Sequence, residues 1–361
     1  MGLFKKIFKK KKSKTSAPEE AAVAKAMSAD GSEYYFSGLA VTSIAVKPKE
    51  GDENKVTFSE ADENGEEGVF LKNFKLISDE SVEKGKREFE ATKVDLDEVK
   101  SMIYKDGSDV IPLFIVHGFN VEPSSTLAYE YENFHKEHKY YPIPVIWASE
   151  GSALLYFEDQ ADDAIGAGKA LNALVGMVPN DTFPKKSLVM HSMGNHAIFN
   201  GACAKGTPDV QFDNIFMVAA DVPFDIFHKE PNEFYLFRKN VSGRKYEKAT
   251  NFFGMLKKEG DKPVGKIYVL YHKKDLALAA SFFSNQESRI GKAGLHWVDG
   301  WFRNYYDDKA TRDDMKPYLE CWEVTDQEMT YDKGTKHSYQ LEPWAEIFSS
   351  SLRMTKLCKK M

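Results

Sequence analysis

The sequence has few cysteines and no long apolar segment, and each of these features excludes some classes of protein. Its 361 residues include three cysteines, which are too few and too scattered for a disulfide framework or a zinc site. No apolar run is long enough to cross a bilayer. No apolar stretch follows the basic N-terminus, so a secretory signal is not predicted. We therefore expect a cytoplasmic protein that works in a reducing compartment without a metal or organic cofactor.

Acidic residues are absent from the first 14 positions, MGLFKKIFKKKKSK, which carry seven lysines. The whole chain has a formal net charge of −6, so the remainder carries −13 once the +7 of this basic leader is set aside. In a helix, the apolar residues of the leader would share one arc opposite the lysines: Leu3, Phe4, Ile7 and Phe8. This pattern favours peripheral contact with an anionic membrane, at its inner face. A disordered solubilising tail is the alternative. Nucleic-acid binding ranks last because the aromatic residues of the leader suit a lipid boundary better.

The chain divides into three parts by composition. Residues 1–32 form the basic leader and a small, polar linker. Residues 33–110 alternate in hydropathy between turn residues, which predicts a β-rich N-terminal extension along one edge of a sheet, and DLDEVKSMIY within them predicts a short helix. Residues 111–357 alternate apolar runs with helical stretches, which predicts an α/β fold with a doubly wound, mostly parallel sheet. Ligands of such sheets bind at the carboxyl ends of the strands.

One predicted strand ends in a turn that carries a serine. Residues 186–201 read KSLVMHSMGNHAIFNG, so a strand, a turn at Ser192 and a helix follow one another. This arrangement is a nucleophile elbow, which raises the serine hydroxyl above the sheet edge. Gly194 is small where the helix backbone crosses the strand, whereas Met190 replaces the usual first glycine of G-x-S-x-G. The alternative interpretation of Ser192 is a helix N-cap.

An activated serine needs an oxyanion site, a base and an acid. The backbone N–H groups of Phe119, after His117-Gly118, and of Met193, after the serine, are the predicted oxyanion donors. In chain order the acid and the histidine follow the serine. We favour Asp275 as the acid and hold Asp221 in reserve, although the former could be a helix N-cap and the latter an ordinary turn residue.

The base is expected in the loop between the last predicted strand, YLECWEVTD, and the closing helix, EPWAEIFSSSLRM. His337 is the only histidine in that loop. Its position in the chain, rather than the residue type, identifies it, since an isolated loop histidine is usually solvated or structural. His191 and His196 flank the serine too closely in sequence to act as its base.

Several strand-end motifs occur together in this chain: HGFN at 117–120, W-A-S at 147–149, H-S-M-G-N at 191–195, and H-S-Y at 337–339. With this set, residues 111–353 resemble the alpha/beta-hydrolase superfamily, and within it a mostly bacterial branch of hydrolase-like domains of unknown function. The turn at 274–278 and the segment ESRIGKAG also match that branch. The resemblance implies an alpha/beta-hydrolase fold and a catalytic triad of Ser192, Asp275 and His337. It departs at Met190, where the branch usually has alanine, and it implies no substrate.

The sequence therefore predicts a serine hydrolase, of the carboxylesterase or lipase type, that cleaves an ester or related acyl bond of a small-molecule or lipid substrate. The basic leader would bring it to an amphiphilic substrate at a membrane. One alternative is a non-catalytic hydrolase fold that binds or scaffolds at the membrane surface. Another is a membrane- or nucleic-acid-associated protein whose function lies in the leader and residues 33–110.

Overall fold

A computed structural model describes residues 26–27, 33–34, 38–59, 64–78, 88–105, 109–118, 140–147, 183–195, 198, 211–222, 254–272, 274–275, 278, 291 and 316–323. The basic leader, Phe119 and His337 lie outside these residues. The strands are β1 (Ala26–Met27), β2 (Glu33–Tyr34), β3 (Ala40–Ile44), β4 (Lys47–Lys49), β5 (Asp52–Ser59), β6 (Asn64–Ser78), β7 (Glu88–Lys93), β8 (Ile111–Val116), β9 (Tyr140–Ile146), β10 (Ser187–His191), β11 (Asn214–Val218), β12 (Lys258–Glu259), β13 (Lys262–Pro263), β14 (Lys266–Tyr271) and β15 (Leu319–Glu323). Helix α1 spans Leu96–Ile103, and a 3₁₀ turn at Lys316–Tyr318 leads into β15.

Eleven of these strands form one sheet in the order β15-β14-β11-β10-β8-β9-β3-β6-β7-β5-β4. Every neighbouring pair from β15 to β3 is parallel. The pairs from β3 to β4 are antiparallel. The predicted mostly parallel sheet with a β-rich N-terminal extension is therefore confirmed. The extension joins the sheet through β3, which pairs in parallel with β9.

The central parallel strands are buried on both faces, as their unbroken apolar sequences indicate. Successive residues alternate between two apolar clusters. One cluster includes Phe114, Met190, Met217 and Val269. The other includes Ile115, Val189, Phe216 and Leu270. Burying a side chain of this size stabilises the fold by about 2 kcal/mol relative to leaving it exposed, so this double-sided core holds the strand ends in fixed positions.

The antiparallel strands have a separate apolar cluster that includes three phenylalanines. The Phe58 ring stacks on Phe89 with centroids 5.5 Å apart and meets Phe74 edge-on at 6.1 Å. Helix α1, which confirms the predicted short helix, begins at an N-cap where Asp95 accepts a hydrogen bond from the backbone N–H of Glu98. Its buried face, Val99 and Ile103, packs into the same cluster as Phe114. In the residues described, no helix is long and apolar enough to cross a membrane.

Candidate active site

Polar side chains are concentrated just beyond the carboxyl ends of four neighbouring strands. His117 follows β8, Ser192 follows β10, Asp221 follows β11, and His272 and Asp275 follow β14. All five are buried, from fully buried for Asp275 to 6% exposed for Ser192. Buried polar groups at this edge of a parallel sheet are typical of a functional site, and the sequence predicted the site here.

Ser192 has a left-handed backbone conformation, with φ of 49°. A residue other than glycine rarely adopts positive φ because its Cβ is crowded, so the surrounding structure must hold it there. The strand ends at His191 and a helix begins at Met193, directly after the serine. This is the sharp strand-turn-helix geometry of a nucleophile elbow.

Hydrogen bonds to β11 fix the peptide groups on both sides of this turn. The Ser192 N–H donates to Val218 O at 2.9 Å, and Ser192 O accepts from Asp221 N at 3.1 Å. Ser192 O also accepts from Asn195 N at 3.2 Å within the first helical turn. The conformation of the serine is therefore set by the neighbouring strand as well as by its own helix.

Close contacts explain the two glycines near the serine, with backbone at Gly194 and with side chains at Gly118. A Cβ atom on Gly194 would lie 2.5 Å from His117 O and 2.7 Å from Val116 O, so the helix crosses the end of β8 in contact with its backbone. A Cβ on Gly118 would lie 2.8 Å from the Ser192 Cβ. Gly118, the last described residue after β8, thus lies directly against the serine, at the start of the predicted oxyanion loop.

Met190 does not prevent the elbow from forming. Its side chain is fully buried in the apolar cluster that also contains Val116 and Met217, its neighbours on the two adjacent strands. Ser192 reaches the left-handed region with this bulky residue in place. The departure from G-x-S-x-G is accommodated by the core beneath the turn.

His117 and Trp147 join the first two sequence motifs into one unit. Their rings stack with centroids 5.1 Å apart, and Trp147 Nε1 donates to His117 O at 3.1 Å. His117 Nδ1 donates to Gly118 O at 3.0 Å. Burial lowers the pKa of the His117 imidazole to about 4, so the ring is neutral at physiological pH. This neutral ring fits a role in shaping the loop before Phe119.

The two candidate acids occupy different positions. Asp275 Oδ1 accepts from Leu278 N at 2.8 Å, so this carboxylate does cap a helical turn, and its own N–H donates to His272 O at 3.0 Å. The backbone of Asp221 contacts the elbow directly, because its N–H donates a hydrogen bond to Ser192 O. A carboxylate can accept hydrogen bonds from several donors, so the cap is compatible with the predicted role of Asp275 as the partner of an imidazole.

Phe119 and His337 lie outside the described residues, and their roles stay predictions. The structure brings Ser192, Met193 and both candidate acids to one edge of the sheet. Among the described residues, no cluster of histidine, cysteine, aspartate or glutamate could hold a metal ion.

Sequence reasoning missed three features at this edge. Gly291, in the ESRIGKAG segment, donates from its N–H to Ala220 O at 3.0 Å and accepts from His272 N at 3.1 Å, so it bridges the ends of β11 and β14. Ala219, which is not a glycine, also has positive φ at this edge, at 43°. Asn195 directs its side-chain amide into the elbow. Asn195 could have been identified from the sequence, since a polar side chain three positions after a turn serine can donate a hydrogen bond to the carbonyl groups of the turn.

No curated protein matches the chain. Among solved structures, the chain is similar to a lipase-esterase related protein from Clostridium acetobutylicum (16% identity, 49% of this chain and 81% of that chain, TM-score 0.24). It is also similar to a hormone-sensitive lipase from a metagenome library (10% identity, 87% and 86%, TM-score 0.32) and to an esterase from Pyrococcus furiosus (12% identity, 87% and 91%, TM-score 0.28).

A family model supplies the assignment. It matches residues 91–298, more than half of the 361-residue chain, and it describes an alpha/beta hydrolase of unknown function (DUF900). The matched segment contains β8, β9, β10, β11 and β14, whose carboxyl ends carry Ser192 and both candidate acids. The resemblance inferred from the strand-end motifs is thereby confirmed, and the chain belongs to this alpha/beta-hydrolase family.

Proposed function

We propose that this protein is a serine hydrolase that cleaves an ester or related acyl bond through a covalent acyl-enzyme. The observation that carries the proposal is the left-handed backbone of Ser192 between the end of β10 and a helix N-terminus. Strained backbone of this kind persists only where the surrounding structure holds it, and it is concentrated at active sites. An N-cap serine needs only an extended backbone, so capping alone does not account for a positive φ.

The first half of the reaction forms the acyl-enzyme. Ser192 Oγ attacks the acyl carbonyl carbon while His337 accepts the hydroxyl proton and Asp275 orients the imidazole. The carbonyl electrons move onto oxygen, which the backbone N–H groups of Met193 and Phe119 hold. Met193 suits this role because the first N–H groups of a helix have no acceptor within the helix. Collapse of the tetrahedral intermediate expels the alcohol, which takes the proton from His337.

The second half releases the acid. A water molecule attacks the acyl carbon, His337 accepts its proton, and the same oxyanion donors hold the second intermediate. Breakdown returns the proton to Ser192 Oγ and frees the carboxylic acid. The helix dipole favours negative charge at this point in both halves of the reaction.

The experiment that tests this proposal is covalent labelling with a fluorophosphonate probe. The wild-type protein is expected to be labelled on Ser192, as located by peptide mass spectrometry. Labelling of His337→Ala is expected to be at least about a hundredfold slower, since general-base assistance contributes 10²–10⁴ in rate. Absence of labelling in a folded wild-type protein would leave a non-catalytic binding or scaffold role as the better interpretation.

The same assay separates the two acids. Asp275→Asn is expected to slow labelling more than Asp221→Asn does, because a misoriented imidazole is a poor base. The opposite order would transfer the role to Asp221, whose backbone already contacts the elbow.

The basic leader provides the proposed route to substrate. Seven lysines and an apolar arc in residues 1–14 match the surface of an anionic membrane, where each lysine contributes about 1 kcal/mol of attraction. The proposed substrate is therefore an amphiphilic acyl compound, met by a cytoplasmic protein held peripherally at the inner face of the membrane.

Flotation with lipid vesicles tests the leader. The full chain is expected to float with vesicles that contain phosphatidylserine and to be released as salt concentration rises. A variant without residues 1–14 should stay in solution yet be labelled by the probe at the wild-type rate. Equal binding of the full chain to vesicles of neutral phosphatidylcholine alone would contradict the electrostatic part of the proposal.

A further inference from the structure

The side-chain amide of Asn195 lies at the centre of the elbow. It is buried, and Nδ2 donates to Met190 O at 2.9 Å and to Ser192 O at 3.0 Å, with Val218 O at 3.5 Å. Three carbonyl oxygens from two neighbouring strand ends thus surround one NH₂ group. The reverse orientation would place Oδ1 against these oxygens, so the donor side must face them.

Ser192 O is the carbonyl most affected by this arrangement. It accepts from Asn195 Nδ2, from Asn195 N and from Asp221 N, at 3.0, 3.2 and 3.1 Å. A carbonyl bonded from three directions cannot rotate without breaking a buried hydrogen bond, which is costly. The peptide plane after Ser192 is therefore fixed, while the bond from Ser192 N to Val218 O fixes the plane before it.

The same amide also reaches a second strained turn. Val218 is followed by Ala219, which has φ of 43°, and the Ala219 N–H donates to Leu270 O at 3.1 Å. Two left-handed residues, Ser192 and Ala219, thus directly follow the ends of adjacent strands, and Asn195 contacts the carbonyl of the first and the carbonyl that precedes the second. Neither is a glycine, so both conformations require support from their surroundings.

We infer that Asn195 is a positioning residue that holds Ser192 in its left-handed conformation by binding the carbonyls of Met190 and Ser192. Its effect on catalysis rests on the proposed function of Ser192, whereas its effect on the backbone does not. With the amide in place, Ser192 Oγ projects from a fixed Cα. Without it, the turn relaxes and the hydroxyl leaves the line of attack, and small misplacements of a reacting group cost large factors in rate.

Asn195→Asp is the sharpest test because the carboxyl group has nearly the same shape as the amide and lacks its two N–H donors. A protonated carboxyl can replace at most one of the two hydrogen bonds, and an ionised one can replace neither. Asn195→Ala, which removes the amide without adding charge, keeps the test valid should the aspartate variant fail to fold. The matched control is Asp213→Ala. Asp213 Oδ2 accepts from Lys186 N at 2.9 Å, so it binds the backbone beside the opposite end of β10.

Hydrogen exchange measures the backbone effect without any need for activity. In the Asn195 variants, exchange at the Ser192 and Asp221 amides is expected to rise about tenfold, as for the loss of one buried hydrogen bond, while exchange at Lys186 stays unchanged. In Asp213→Ala, exchange at Lys186 is expected to rise and exchange at Ser192 to stay unchanged. Equal exchange at Ser192 in all four proteins would overturn the inference.

Fluorophosphonate kinetics measure the consequence for the hydroxyl. The maximal labelling rate of the Asn195 variants is expected to fall by about ten- to a hundredfold, with little change in the probe concentration at half-maximal rate. Asp213→Ala should lower thermal stability and leave both constants near wild type. An Asn195 variant that is only less thermostable, with wild-type exchange and labelling, would reduce the residue to a structural role.

The two proposals fail in different ways. If the wild-type protein is not labelled, the serine hydrolase mechanism is wrong, yet the exchange pattern still decides whether Asn195 holds the turn. If the wild type is labelled and the Asn195 variants behave identically to it in both assays, only the inference about Asn195 is wrong.

Discussion

Hydrolysis of a short acyl ester is expected to fall by about a thousandfold or more when Ser192 is replaced by alanine, because the reaction then lacks its nucleophile. Folding should be almost unaffected. Alanine meets the same crowding as serine at φ of 49°, and the backbone hydrogen bonds of the turn do not use the hydroxyl. Initial rates with a chromogenic ester, together with the melting temperature of each protein, measure the two effects separately.

Ser187 provides a matched control within the same strand. It is a fully buried serine at the first position of β10, at the edge of the sheet opposite the site. Ser187→Ala is expected to retain wild-type turnover, whatever it does to stability. Substantial hydrolysis by a purified Ser192→Ala protein, with contaminating esterase excluded, would mean that another residue is the nucleophile.

Gly291→Ala is expected to cause the largest loss of stability of any glycine-to-alanine substitution in the described part of the chain. The new Cβ would lie 2.1 Å from Ala220 N and 2.2 Å from Ala219 C. These are backbone atoms of the strained turn after β11, which cannot move aside as a flexible side chain can. We expect a loss of about 3 kcal/mol or more in the free energy of unfolding, measured by urea titration.

Gly260→Ala is the comparison that isolates the clash. Gly260 has φ of +61° and nothing within 4 Å of an added Cβ. Its substitution therefore carries only the cost of the left-handed backbone, about 1 kcal/mol. Similar losses in the two variants would show that the contact between Gly291 and the end of β11 relaxes easily.

The mostly parallel sheet and the position of the serine turn were accessible from sequence because they depend on local patterns. Apolar runs such as IPLFIV and NIFMV indicate strands covered on both faces, and the polar residues that follow them identify the functional edge. Ser192 stood out because it combines a strand end, a turn and a helix start within a few residues. The general architecture followed from these features without knowledge of any contact.

Apart from the Asn195 amide, the features that sequence reasoning missed depend on neighbours distant in the chain. The positive φ of Ala219 is unexpected for alanine and arises where Gly291 packs on the backbone beside it. The stacking of His117 on Trp147 joins residues at the ends of two adjacent strands. The pairing register of the antiparallel strands could not be predicted from the sequence either, because bulges shift the pairing of β6 with both β3 and β7.

The outermost antiparallel strand has a consequence for self-association. All three residues of β4, Lys47, Pro48 and Lys49, are exposed, and they form the last strand of the sheet. An open sheet edge is a template for aggregation, but proline offers no N–H to an incoming strand and lysines repel one another across an intermolecular pair. We therefore expect the β4 edge of the sheet to resist pairing with a second copy of the chain at high protein concentration.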